Sequence, residues 1–358
     1  MNDARSTVDA PTSGNTGSRS LSGSMHAVVR RGSAAAGESP RVEFGSIARP
    51  TTSPSSALVR VTTALLTPLE REVARGLGTD AAGPRVLGTS LVGVVEDPSA
   101  ASSSGLARGT RVAVHPVVSC GVCERCHGGL ALHCAARTIL GFDDACGGLA
   151  EFVAVPSANL VALPKELDDD RAVFAVSLAR AMQAVRRGGV EGKTFASVLG
   201  DDLIAILAAV VAVEENPLAR LVAVHESTLR IAEQFGIRHR ALQETGRRGD
   251  QELVIDTAGS AETLLAAARM VRPRGHVIAA GVSARATVAV ELSHIALDEI
   301  ELRGAGFGPL AGAIDRLARR VIDPSPLVSR RIALQDVPRA IPNLAEPGTF
   351  AMLVQVSR

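Results

Sequence analysis

The chain has no Trp and no Tyr, and its aromatic content is 2%. Base-stacking platforms and aromatic sugar-binding walls therefore have almost nothing to be built from. Lysine is nearly missing too, with Lys165 and Lys193 alone, so Arg carries the positive charge, a pattern that follows composition rather than function. Excess charge of either sign is also lacking: 38 basic against 37 acidic side chains leave a net charge of +1, which argues against a nucleic-acid partner held by phosphate contacts. The longest apolar run, Leu203 to Val213, is shorter than the roughly 17–25 residues that span a bilayer, and acidic residues bracket it, so no membrane partner is expected. What remains is a 358-residue chain, 46% hydrophobic and 21% charged, close to the globular average. At roughly 100–200 residues per domain, that length points to two domains.

Met1 to Ser24 is rich in Ser, Thr, Gly and Asp, with neither a signal-peptide apolar region nor an acid-free, Arg-rich amphipathic pattern. It reads as a disordered tail on a cytoplasmic protein. Met25 then opens the strand-like run His26 to Arg30, followed by β-rich segments at Ala57–Val61, Leu91–Val95 and Arg111–His115, separated by Gly, Pro and Ser clusters. From about Asp168 the pattern changes. Short apolar runs such as Thr194–Leu199, Leu221–His225, Leu253–Asp256 and His276–Ala280 alternate with helix-length segments, as a parallel sheet covered on both faces requires. Beyond Gly304 a helical stretch at Leu310–Val321 and a strand-like ending at Ala351–Val356 follow.

Cys120, Cys123, Cys126 and Cys134 form a C-x2-C-x2-C-x7-C cluster, with Gly121, Gly128 and Gly129 permitting tight turns. Four thiolates in one short loop can fill a tetrahedron around one Zn²⁺, leaving no position for water or substrate, so the expected role is structural. Two disulfides are the alternative, but neighbours separated by two residues rarely pair well, and no secretion signal points to an oxidising compartment. Cys146 reads as a small, partly buried thiol.

The segment Gly109 to Pro116, the four cysteines, Gly147-Gly-Leu-Ala-Glu-Phe152 and Pro156 together resemble the zinc-containing alcohol dehydrogenase branch of the medium-chain dehydrogenases/reductases. Further markers are the strand-turn-helix Val198-Leu-Gly-Asp-Asp-Leu-Ile-Ala205, the strand end Val254 to Ser260, and Arg272-Pro-Arg-Gly-His-Val-Ile-Ala-Ala-Gly281. The resemblance covers about Met25 to the C-terminus. It implies an α/β chain: a GroES-like, β-rich domain with a structural zinc lobe over 25–168 and 306–358, and a doubly wound, parallel Rossmann domain over 169–305. It also implies a homo-oligomer, since members of the family are commonly dimers or tetramers.

In active members a second zinc polarises the substrate oxygen while a nicotinamide takes or gives hydride. Each of the three motifs that would hold this zinc is altered here. The place of the expected cysteine, measured back from Gly76, holds Thr67; the Gly-His-Glu motif reads Gly88-Thr89-Ser90; the Glu-Pro-Leu-Ala segment reads Val176-Ser177-Leu178-Ala179. Neutral hydroxyls are poor zinc ligands beside thiolate, imidazole and carboxylate, so a catalytic zinc is not expected. The proton-relay positions hold Leu69 and Glu72. Glu70 and Glu72 read as a solvated face of a charged helix, with a general base as the sharper alternative.

A Rossmann turn needs glycines where backbone approaches the pyrophosphate and where helix packs on strand. Gly200 fits, whereas Asp202 and Ala205 take the next two places. Together with Leu203, Ala223, Gly259 and Gly281, these residues outline the expected NAD(P) site, weakened by the Asp202 carboxylate. The acidic ribose ligand falls on Ala223 or Val224, with His225 and Glu226 just after. Three functions follow: an oxidoreductase that uses NAD(P)H without catalytic metal; a pseudoenzyme with structural zinc that binds a partner or small molecule without turnover; and a zinc-lobe interaction protein. The last has no basic or aromatic cluster around Glu124, Arg125 and His127 to support it.

Overall fold

A computed structural model describes residues 23–32, 40–78, 84–98, 105–143, 146–245, 249–283 and 292–357. Most of the expected tail lies outside these. Its last residues do not: the first strand runs Ser24–Arg31, and the Gly23 carbonyl accepts from the Arg49 N–H at 3.0 Å, so the strand starts one residue earlier than expected.

The fold is mixed α/β. In the β-rich part, Ser24–Arg31 lies between Arg41–Ala48 and Arg85–Val86 in a three-stranded sheet. A seven-stranded sheet follows the order Leu160–Ala162, Arg111–Val114, Ser90–Asp97, Ser56–Leu66, Ala351–Gln355, Val328–Ala333, with Phe152–Pro156 also paired to Ser56–Leu66. The C-terminal strand pairs antiparallel with Ser56–Leu66, Leu353 opposite Leu65, which returns the end of the chain to its first third. The Ser56–Leu66 strand is longer than Ala57–Val61 suggests, because Thr62 and Thr63 interrupt the apolar run while pairing with Ser90–Asp97 resumes at Thr63 after a register shift.

The second part is a six-stranded parallel sheet in the order His239–Ala241, Arg220–Ala223, Ala196–Leu199, Gln251–Asp256, Val271–Ala279, Glu301–Gly304. Ala196–Leu199 is buried along its whole length, as a central parallel strand with both faces covered should be. The longest apolar run forms the helix Leu203–Glu215; it is apolar nearly all round because it lies between the sheet and the helix Ala175–Gly188. Its start is fixed by Asp202, whose side chain accepts from the Ala205 N–H. The helix Leu310–Ala318 packs on Ala175–Gly188 through Leu310, Ala313, Ile314 and Leu317. The strand order reverses beside Ala196–Leu199, so a crevice opens past the carboxyl ends of that strand and Gln251–Asp256. Among the described residues no helix is long and apolar enough to cross a membrane.

With so few aromatics, aliphatic side chains fill most of the core; its bulkiest buried residues are Phe350, at 2% exposure, and Phe174, at 0%. Phe174 sits at the turn between the helices Asp169–Ala172 and Ala175–Gly188. Replacing it removes more packing than any aliphatic truncation. Phe174→Ala should cost about 3–5 kcal/mol in urea unfolding; a loss below about 1 kcal/mol would mean that the site collapses around the cavity.

Candidate functional site

Three sets of side chains bear chemistry: the cysteine lobe, the place of the altered metal motifs, and the crevice at the strand reversal.

In the lobe, Cys123 caps the short helix Glu124–His127 that carries Cys126, and Cys134 follows the turn Ala131–His133, so tight turns fold the sulfurs back on one another. The four Sγ atoms lie within 4.8 Å of each other. Adjacent separations are 3.5 Å for Cys123–Cys126 and Cys120–Cys134, 3.8 Å for Cys123–Cys134 and 3.9 Å for Cys120–Cys126. A tetrahedron with Zn–S bonds of about 2.3 Å has sulfurs about 3.8 Å apart, so the spacing fits the ion. It does not fit disulfides; all five cysteines, including the half-buried Cys146, are free thiols. Hydrogen bonds from the Cys126 backbone and thiol bring the Cys123 thiol down to about 6, while desolvation and the neighbouring sulfurs push Cys126 up to about 11.

The altered metal motifs do meet in space. Thr67 caps the helix Pro68–Ala74, and Thr67-Pro-Leu-Glu70 is a capping box, so the side chain of Glu70 turns back towards the helix start. Glu70 Oε2 accepts from the Thr67 backbone N–H at 2.9 Å and its hydroxyl at 2.6 Å. Oε1 accepts from the Thr89 N–H at 3.1 Å and its hydroxyl at 2.7 Å. Glu70 is 1% exposed, which corrects the expectation of a solvated face: one carboxylate ties together the two threonines that stand for Cys and His. Ser90 and Val176 are each 2% exposed, and Val176 lies in the apolar core. Only Glu72 behaves as a helix-face charge, pairing with Arg71 and Arg75. Leu69, at the other relay position, is buried.

At the crevice, Gly200 has φ +156°, and a Cβ there would lie 2.1 Å from Thr257 Oγ1, so close approach of the adjoining strand requires glycine. Gly259 and Gly281 meet back to back, a Cβ on Gly281 falling 2.2 Å from the Gly259 nitrogen. The structure gathers Gly200, Asp202, Gly259 and Gly281 at the strand ends; Leu203 lines the crevice although it is 1% exposed, and Ala223, at 0% exposure, ends the second strand. Asp202 Oδ1 accepts from the Ala205 N–H at 2.8 Å and the Thr257 hydroxyl at 2.9 Å, which bridges the crevice. Its neighbour Asp201, absent from the expected set, accepts from the Val224 and His225 N–H groups, both at 2.9 Å, at the end of the second strand. Burial pushes the Asp202 carboxyl above its ordinary range, and burial together with the Asp202 charge pushes Asp256 up to about 6 against hydrogen bonds that lower it.

A cavity of about 280 Å³ opens beside this crevice, reaching Thr67, Ser177, Arg180, Asp202 and Thr257. Arg180 also escaped the sequence reading, although it directly follows the altered Val176 to Ala179 motif. Asp201 was adjacent to a residue already singled out, and the capping box marked Glu70; each signal was present but was read for another role.

The alcohol dehydrogenase GroES-like domain family matches residues 53–165. An uncharacterized zinc-type alcohol dehydrogenase-like protein of Haemophilus influenzae is 25% identical over 275 residues, covering 74% of this chain and 80% of that protein. The starvation-sensing protein RspB of Escherichia coli is 35% identical over 125 residues, 35% of this chain and 36% of its own. A provisionally assigned zinc-binding dehydrogenase from Sinorhizobium meliloti, solved bound to NADP, superposes with a TM-score of 0.80 at 25% identity, covering 93% of this chain and 100% of that one.

Truncating Glu70 would strand the Thr67 and Thr89 N–H groups in a buried site. Glu70→Ala should therefore lower stability by about 2–5 kcal/mol, and Glu70→Gln, which keeps acceptor capacity, by less. Chemical denaturation of both variants checks this; an Ala variant within about 0.5 kcal/mol of the parent would show that the carboxylate holds nothing.

Proposed function

Because the chain belongs to the zinc-type alcohol dehydrogenase-like branch of the medium-chain dehydrogenase/reductase superfamily, an oxidoreductase family, we propose that it is a pseudoenzyme. On this reading it keeps the scaffold, stabilised by one structural zinc, and binds a small molecule in the cleft without turnover. The observation that carries it is that Asp202 accepts the Ala205 backbone N–H at the start of the helix after the dinucleotide turn, while Asp201 accepts the Val224 and His225 N–H groups at the end of the second strand.

Those residues do not fit a dinucleotide. A pyrophosphate at the start of the helix Leu203–Glu215 would have to displace the Asp202 carboxylate from the Ala205 N–H, a charge-assisted hydrogen bond worth about 1.5–3 kcal/mol. It would then lie among Asp201, Asp202 and Asp256, and a like-charge pair about 4 Å apart costs about 1 kcal/mol in water and about 4 at an effective dielectric of 20. The dipole of the helix Leu203–Glu215 offsets about 0.3–1 kcal/mol of this, too little to reverse the balance. No hydride step is therefore derived. Thr67 and Thr89 likewise spend their hydroxyls on Glu70, and Val176 offers no donor, so alcohol binding to a Lewis acid has no ligand set here.

A second reading, an NAD(P)H-dependent oxidoreductase without catalytic metal, draws on the likeness to the NADP-bound Sinorhizobium protein and on the open cleft. Under both readings Cys120, Cys123, Cys126 and Cys134 would hold the structural zinc, whose filled shell ties the lobe together.

Metal analysis of protein purified without added zinc should return about one equivalent per chain, and Cys123→Ser should lower both zinc content and melting temperature. Ethanol with NAD⁺ or NADP⁺ should give no chelator-sensitive oxidation, and Thr67→Cys alone should not create it. About two equivalents together with chelator-sensitive turnover would contradict the proposal.

A further inference from the structure

Arg180 lies on the helix Ala175–Gly188 and forms a wall shared by two chambers. One is the polar crevice described above. The other, of about 220 Å³, is lined mainly by apolar side chains, among them Leu69, Val117, Ile139, Phe142 and Phe307. The Arg180 guanidinium sits 5.5 Å from the centre of the Phe307 ring, so it faces both a polar and an apolar space.

Its donors are mostly unspent. One N–H reaches the Ala280 carbonyl at 3.4 Å, near the limit of a hydrogen bond, and among the described residues no carboxylate forms an ion pair with it. Glu70 and Asp202 are the carboxylates whose charge it feels, and both are committed elsewhere. Glu70 accepts from Thr67 and Thr89, and Asp202 Oδ1 from Ala205 and Thr257. Burial holds the guanidinium below its ordinary range, the direction expected of a cation short of partners. The partly buried guanidinium lines both chambers, and its planar geometry matches a carboxylate in a two-point contact.

We propose that the apolar chamber takes a small monocarboxylate, with the carboxylate on Arg180 and the hydrocarbon body against Leu69, Val117, Ile139, Phe142 and Phe307. This rests on the reading that the cleft binds a small molecule. One cation beside an apolar chamber selects a singly charged head with a short hydrocarbon tail. An inorganic phosphate would leave the apolar walls unfilled and place a second negative charge near Asp202. Arg137, at the exposed rim of the chamber, adds positive charge at the mouth and favours entry of an anion.

The test titrates the full chain with sodium hexanoate, hexanamide and inorganic phosphate by calorimetry, for the parent, Arg180→Leu and Arg180→Lys. Melting temperatures confirm that each variant is folded. Hexanoate should bind the parent saturably, hexanamide at least about tenfold more weakly, and phosphate not detectably. Arg180→Leu should lose at least about tenfold for hexanoate while leaving hexanamide unchanged, and Arg180→Lys should fall between. Equal binding of hexanamide and hexanoate, an unchanged Arg180→Leu isotherm, phosphate binding in place of hexanoate, or no hexanoate binding at about 10 mM would each overturn the proposal. Nicotinamide turnover is a separate readout: it would overturn the pseudoenzyme reading, whereas the hexanoate isotherm decides the role of Arg180.

Discussion

The hydrogen bonds that Asp201 and Asp202 accept tie together the ends of the parallel strands and the start of the helix Leu203–Glu215. A helix N-terminus beside a strand end presents converging N–H groups and a positive dipole, a ready place for an anion. Here the chain supplies the anion itself, covalently tethered and always present. Asp202 satisfies the start of the helix Leu203–Glu215 and, through Thr257, joins the neighbouring strand; Asp201 holds the end of the second strand. On the proposed reading, an external phosphate at the helix start competes with the Asp202 carboxylate for the Ala205 N–H.

The same substitution of internal hydrogen bonds for an external ligand recurs at the altered metal motifs. Thr67 suits a helix cap, and Glu70 three residues later completes the box and reaches Thr89. Backbone and hydroxyl donors that would otherwise be buried and unpaired are satisfied, so the site gains stability by closing. The cysteine lobe follows a different course: its four sulfurs keep the separations of a tetrahedral shell.

The fold was readable in the sequence where pattern and chemistry coincide. The apolar runs at Ala196–Leu199 and Gln251–Asp256 are parallel strands, because burial on both faces leaves no alternation, and the spacing of the four cysteines brought them together. The site was less readable. Glu70 reads as a solvated charge because local composition does not show that a helix end turns its carboxylate inward; the capping box is the signal that does. Leu203 and Ala223, expected at the nucleotide site, are both buried, and Leu203 also lines the crevice. Asp201 and Arg180 act through contacts distant in sequence, to Val224 and His225 and to Ala280, and no periodicity reports those.

The most direct test of the account is calorimetric titration of the zinc-loaded protein with NADH and NADPH, for the parent and for a variant carrying Asp201→Gly and Asp202→Gly. If the chain's own carboxylates hold the dinucleotide turn, the parent should bind neither nucleotide at about 1 mM, and the variant should bind at least about tenfold more tightly at some cost in stability. Micromolar binding by the parent would contradict the account and return the protein to the working oxidoreductases of its family.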